Sequence, residues 1–393
     1  MNSIFTVNGG SSSLKCALFC IKNGEPELLF NFKLSNILGA ARAQISNAEA
    51  TLIADLHPDF AEIDHDGRHQ ACLDFVFAWI RANVGEQTLK AISHRVVHGG
   101  ECFSAPLLVG ATELELLRQF IPLAPLHQPF NLKLIEACHT LLPEVPQFAC
   151  FDTMFHFDMP SVAKQFALPR ALSDDGVRRY GFHGLSYEYI QRQLEQAGAG
   201  NLKTIVGHLG AGTSLCAIDC GRSITSTTGF TALEGPPMSS RCGSIDPGVL
   251  LYLMREKHMD VDAIEQLLYK ESGWLGVSGG ISSEMTELLA SDQPEAREAV
   301  DLFTYRVACE IGSLTAAMGG IEQLVFTAGV GENSAEIRSE ICRRSRWLGI
   351  EIDSAANEAG NIIISTADSR IMVRVIPTDE EAMLALHGME MLA

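Results

Sequence analysis

Apolar residues fall along this chain in short blocks, each closed by glycine or small polar residues. Ile4, Phe5 and Val7 precede Asn8-Gly9-Gly10-Ser11-Ser12-Ser13, and Leu14 and Cys16 to Phe19 follow it, which predicts a tight loop between two buried strands. Half a chain later the pattern returns. Thr204-Ile205-Val206-Gly207-His208-Leu209 leads into Gly210-Ala211-Gly212, and Thr213 to Ile218 reads as the returning strand. Ser12-Ser13-Leu14 matches Thr213-Ser214-Leu215, with Cys-Ala-apolar after both and Lys15 as the one extra residue. The echo suggests a duplicated domain; two ordinary hairpin turns are the alternative.

Other segments follow the same logic. Residues 27–34 read as a short strand, whereas the polar, Ala-rich stretch to Asp64 shows no period. Helical spacing returns over 71–82, and 89–100 reads as a strand ending in a glycine turn. Residues 122–129 form a proline-rich apolar loop before a helix over 131–142, and 147–153 is a buried strand ending in a carboxylate. A helix ends at Gln196, a long loop covers 227–247, and a helix starts at Asp246-Pro247 with an N-cap and a first-turn proline. Helices over 284–289 and 295–318 lead to 323–334, read as strand, glycine turn, N-cap and helix. Residues 371–376 are a last strand before a terminal helix. Alternating strands and helices place the chain in the α/β class.

The glycine loops admit close backbone approach, and their hydroxyls and Lys15 offer donors to phosphate oxygens. A dinucleotide fingerprint is excluded because Gly210-Ala211-Gly212 runs into a strand, and a P-loop because no Gly-Lys pair occurs. Composition narrows the partners. With 393 residues the chain has room for two domains, and its net charge of −19 excludes a nucleic-acid or anionic-membrane surface. No apolar run approaches the ~18 residues of a membrane span, and the start lacks a basic segment before an apolar one, so a cytoplasmic location is expected. Eleven cysteines without C-x-x-C pairs read as reduced thiols.

Four positions carry candidate chemistry. Arg95 on a strand meets an anion at the sheet's end or is a solvated edge arginine between structural histidines. Asp152 at a strand's carboxyl end orients a water, a metal or an arginine, or forms a turn. His183 lies in a glycine-bracketed loop, and Arg241 is the single arginine of a long loop rich in Gly, Ser and Thr.

The ordered set Asn8–Lys15, His94–Gly100, 124–129, 151–156, 178–184, 208–212, 229–235, 327–333 and 377–381 resembles the acetate kinase family of acyl-phosphate-forming kinases. The resemblance implies two duplicated ribonuclease-H-like domains of the acetate and sugar kinase, heat-shock ATPase and actin superfamily, with nucleotide in the interdomain cleft. It implies domains of residues 1–150 plus 378–393 and 151–377, with a hinge near Asp152. It implies reversible transfer of the ATP γ-phosphoryl group to acetate, with ADP as the other product. Propionate or butyrate kinase on the same scaffold, or a non-catalytic actin-like nucleotide-binding module, are the other readings.

By the same resemblance Asn8 and Glu380 hold Mg²⁺, or Mn²⁺ in its place. Arg95, Asp152, His183 and Arg241 are catalytic. Arg95, Val97, Leu126, Phe182 and Ala232 contact the carboxylate substrate. Lys15, His208, Leu209, Gly210, Ala211, Gly212, Glu284, Met285, Thr286, Gly329, Val330, Gly331, Glu332 and Asn333 contact nucleotide. A homodimer is also a family expectation. Three residues depart from the family pattern: Ala211 stands for asparagine, Thr286 for an arginine beside adenine, and Ala232 for proline.

Overall fold

The computed structural model describes residues 2–10, 12–65, 67–84 and 88–393; Ser11 of the first loop and Met1 lie outside the described residues. Two compact units divide the chain, Met1–Met154 with Asp379–Ala393, and Phe155–Thr378.

The first unit is built on an eight-stranded sheet of β1 (Asn2–Gly9), β2 (Ser13–Lys22), β3 (Glu25–Ser35), β4 (Arg42–Asn47), β5 (Leu52–Leu56), β6 (Thr88–Val96), β7 (Leu107–Leu108) and β8 (Gln147–Phe151), in the order β5-β4-β3-β2-β1-β6-β8-β7. Strand β1 runs antiparallel to β2 and parallel to β6. Its side chains are buried on both faces, which explains why the strand reads as an apolar run. Phe5 and Val7 join the core under the helices Arg68–Asn83 and Gln128–Leu141, while Ile4 joins Phe148 and Ala385 under the terminal helix Glu380–Glu390. A Cβ on Gly388 would lie 2.4 Å from Ser93 Oγ, so glycine lets that helix settle directly on β6.

The second unit carries β9 (Thr204–Leu209), β10 (Thr213–Asp219), β11 (Arg222–Ser226), β12 (Gln323–Thr327) and β13 (Met372–Val375), in the order β11-β10-β9-β12-β13. Strands β9, β10 and β11 are antiparallel in turn, and β12 is parallel to both β9 and β13. The same order and directions relate β3-β2-β1-β6-β8 in the first unit. The echo in the sequence is therefore a repeated fold. Helix Pro294–Met318 covers one face of this sheet and helix Gly184–Gln196 the other.

Three local expectations change. The stretch without a period contains β4 and β5. Residues 328–333 form a short helix where a glycine turn was expected, and the proline-rich loop holds a 3₁₀ turn at Ile121–Leu123 before a helix that already starts at Gln128. No helix among the described residues is long and apolar enough to cross a membrane.

Candidate active site

In the first unit the ends of β1, β6 and β8 bring polar groups together. Arg95 donates from Nε and Nη2 to the two Asp152 oxygens at 2.9 and 2.7 Å, and from Nη1 to Asn8 Oδ1 at 3.2 Å. Its Nη1 is also 3.8 Å from Glu380. The carboxylate at the end of β8 thus orients an arginine, which decides among the roles left open for it. Burial pushes the Asp152 carboxyl up while the bidentate guanidinium pulls it down, and Asp152 with Glu380 outweighs the burial that works against Arg95's charge.

Asn8 Nδ2 lies 3.4 Å from both Glu380 and Glu381, and Lys15 pairs with Asn8 across the β1-β2 hairpin. Lys15 and Glu381 line one pocket, where burial and then Glu380 push the Glu381 carboxyl up. Among the described residues no three His, Cys, Asp or Glu groups are arranged to hold a metal ion. A carboxylate and an amide oxygen are the kind of donors Mg²⁺ takes, and Asn8, whose Oδ1 accepts from Arg95 while Nδ2 faces Glu380, would offer that oxygen by turning its amide over.

The histidines flanking Arg95 are structural. Burial pushes His94 down to about 3 and His98 to about 4, and His98 Nδ1 accepts from Gly100 N at 2.9 Å. Two side chains that sequence reasoning missed lock this strand end: Asn131 accepts from Val97 N and donates to the Gly9 carbonyl, and Gln128 bonds both backbone groups of His98. Val97 is buried and Leu126 half-buried.

In the second unit the glycine loop of the β9-β10 hairpin lies beside His183 and Arg241. A Cβ on Gly212 would sit 3.4 Å from His183 Nε2 and 3.9 Å from Arg241 Nη1, so the missing side chain leaves space that both reach. His183 adopts a left-handed backbone (φ 59°), unusual outside glycine, at the N-cap of its helix. Its Nδ1 is 2.7 Å from Ser214 Oγ, and its ring stacks on His208 at 4.3 Å. Arg241 Nη1 donates to the Ala232 carbonyl at 2.9 Å. Phe182 is buried, its N–H on Thr228 Oγ1 and its carbonyl bonded by His156, whose imidazole burial lowers to about 4.

A pocket of ≈ 410 Å³ opens next to this hairpin. Gly210, Ala211, Glu284, Met285, Thr286, Gly329, Val330 and Asn333 line it, as do Trp274, Ser283, Leu289 and Ser334, which the sequence did not single out. The remaining expected nucleotide residues lie elsewhere. Leu209 and Gly331 are buried, and Glu332 turns its carboxylate to the N–H groups of Ala328 (2.7 Å) and Thr378 (3.1 Å). Buried Arg338 supports that short helix from below, donating to the carbonyls of Gly331 (2.9 Å) and Glu332 (2.8 Å) and to Asn357.

The acetokinase family model matches residues 3–386. This chain belongs to the acetokinase family. An acetate kinase of Rhodopseudomonas palustris is 46% identical over 392 residues, covering 98% of this chain and 97% of that protein. The crystal structure of Porphyromonas gingivalis acetate kinase matches at 34% identity and a TM-score of 0.88, covering 100% of both chains. A propionate kinase from Francisella tularensis matches at 33% identity and a TM-score of 0.91, covering 98% of this chain and 99% of that one. The repeated sheet is thus the acetokinase form of the ribonuclease-H-like fold, in the superfamily of sugar kinases, heat-shock ATPases and actin.

Proposed function

We propose that this chain is an ATP:acetate phosphotransferase, making acetyl phosphate and ADP reversibly. Full-length membership of the acetokinase family supports the reaction, and the observation that carries the assignment of residues is the convergence of Arg241 and His183 on the space left by Gly212. An acetate oxygen attacks the γ-phosphorus in line; a carboxyl O–P bond forms as the P–O bond to ADP breaks. Such transfer needs positioning and charge on the equatorial oxygens more than covalent help. Arg241 and His183 supply that charge and a hydrogen bond.

Arg95 has three of its five N–H groups engaged by Asp152 and Asn8, which fixes its plane and leaves donors on Nη1 and Nη2 for the carboxylate substrate. Asp152 then acts through Arg95 rather than on substrate. Asn8, by its amide oxygen, and Glu380 would hold Mg²⁺, or Mn²⁺ in its place, which would offset the negative charge of the nucleotide's phosphates. The nucleotide's base occupies the pocket walled by Trp274, Met285, Leu289 and Val330, with its phosphates toward Gly210-Ala211-Gly212. An actin-like module without turnover would have no use for an arginine and a histidine aimed at one cleared space.

The protein works in the cytoplasm as a homodimer. Its eleven cysteines include no disulfide among the described residues, as a reducing compartment allows. Helix Pro247–Glu256 buries none of its residues although Val249, Leu251, Tyr252 and Met254 are exposed, an apolar row that suits a second copy. Sedimentation of Leu251→Glu should show a monomer; an unchanged dimer places the contact elsewhere. Acyl phosphate formation with Mg²⁺-ATP and acetate, propionate or butyrate tests the reaction itself, and no product from any of them refutes it.

A further inference from the structure

Tyr187, Ser214 and half-buried His183 form a hydrogen-bonded chain between the helix Gly184–Gln196 with its N-cap and the β9-β10 hairpin. Tyr187 is fully buried, and its hydroxyl meets Ser214 Oγ, which is 2.7 Å from His183 Nδ1. No other hydrogen bond reaches the phenol among the described residues. Burial raises the Tyr187 phenol well above its ordinary range, so it keeps its proton. That hydrogen needs an acceptor, because a buried hydroxyl without one is costly, and Ser214 Oγ is the acceptor in reach.

The direction of the chain follows. With Ser214 accepting from Tyr187, its own hydrogen goes to His183 Nδ1, which must then be the bare nitrogen of the ring. A neutral imidazole with a bare Nδ1 carries its proton on Nε2. The reverse order, Nδ1–H to Ser214 and Ser214 to Tyr187, would strand the phenol hydrogen in the core. Protonating the ring at both nitrogens would make Ser214 accept twice and strand its hydrogen instead. Nε2 is the ring atom that faces the space above Gly212, next to Arg241.

We infer that Tyr187 and Ser214 are positioning residues that fix the tautomer of His183, so that it offers Nε2–H, as a neutral donor beside Arg241, to an oxygen of the phosphoryl group in transfer. The inference rests on the reading of His183 as a group that touches that phosphoryl. Arg241 then provides the charge and His183 a directed hydrogen bond, and the site gains a donor without adding a positive charge directly beside Arg241.

The test is ¹⁵N NMR of the full chain labelled at histidine, with the His183 signals assigned by their loss in His183→Ala. A protonated Nε2 and a bare Nδ1 are expected in the parent protein. In Tyr187→Phe, Ser214 is released from its acceptor role and the Nδ1–H form should appear, with kcat about 10–100-fold lower and KM for ATP and acetate little changed. Ser214→Ala, which removes the link itself and leaves the Tyr187 hydroxyl without its acceptor, should lower kcat in the same way and lower the melting temperature as well. A parent protein with Nδ1–H or a doubly protonated ring overturns the inference, as does unchanged kcat with an unchanged tautomer in both variants. If His183→Ala keeps near-normal turnover while the parent shows the Nε2–H form, the tautomer assignment stands and the catalytic reading of His183 falls.

Discussion

Two hairpins on the same scaffold do opposite things. In the first unit, Asn8 faces Lys15 across β1 and β2, and the hairpin end is surrounded by Arg95, Glu380 and Glu381. In the second, Leu209 faces Thr213 across β9 and β10, and the loop between them is Gly-Ala-Gly, with no charge and almost no side chain. One hairpin contributes groups; the other contributes room. The two units share a strand order, yet one hairpin ends among charged side chains and the other leaves a space beside His183 and Arg241.

That contrast predicts where substitutions hurt. The largest loss should come from Arg241→Ala, about 10²–10³-fold in kcat, the size of removing one preorganised charge stabiliser, with little change in nucleotide affinity. Near-normal turnover would move the phosphoryl clamp to other residues. Next is Gly212→Ala, whose new methyl makes only ordinary contacts with His183 and Arg241 but occupies the space they share. It should fold normally and lose on the order of 10²-fold in kcat, as for a reacting group displaced by about 1 Å; full activity would mean that this emptiness is incidental.

A smaller effect is expected at Ala232, which lacks the proline ring usual in the family. Its carbonyl holds Arg241, and proline keeps that carbonyl. One methylene in an apolar pocket is worth about 1–3 kcal/mol, so the parent should take propionate nearly as well as acetate and Ala232→Pro should favour acetate. A parent that rejects propionate about tenfold (~1.4 kcal/mol), with the ratio unmoved by proline, removes position 232 from chain-length control. Least affected should be base choice. The walls Trp274, Met285, Leu289 and Val330 are apolar, and Thr286 cannot stack as a guanidinium can. The kcat/KM values for ATP, GTP and ITP should then agree within about a hundredfold, or ~2.7 kcal/mol; a wider gap would show that other residues read the base.

Both hairpins and most strands were legible because each is a local apolar run closed by glycine, proline or polar residues. Strand β5 was not, since Leu52, Ile53 and Leu56 lie exposed at the sheet's edge, and β4 was not, since it buries only Ala43 and Ile45, too few positions to mark a period. The helix at Ala328–Asn333 hid for a different reason. Its glycines are poor helix formers, and it is held by Asn333 on the Gly329 carbonyl and by Arg338 from the next helix. Arg95, Asp152 and Asn8 could be singled out as residues, yet their mutual bonds join positions 57 and 87 apart in sequence. Asn131 and Tyr187 lie outside every motif, and Gln128 and Ser214 lie within motif stretches that say nothing of their partners; only the hydrogen bonds they make reveal these roles.

The terminal helix also sets an order of events during synthesis. Asn8 and Glu380 are 372 residues apart, and Ile4, Ala91 and Phe148 share their core with Ala385. A ribosome completes the whole of residues 155–378 before it makes the helix that closes the first unit. That second unit can fold vectorially as it emerges, while the first waits with one face of its sheet uncovered, an aggregation-exposed interval for an apolar surface. The carboxylates of Glu380 and Glu381 therefore reach Asn8 only after both sheets have been synthesised.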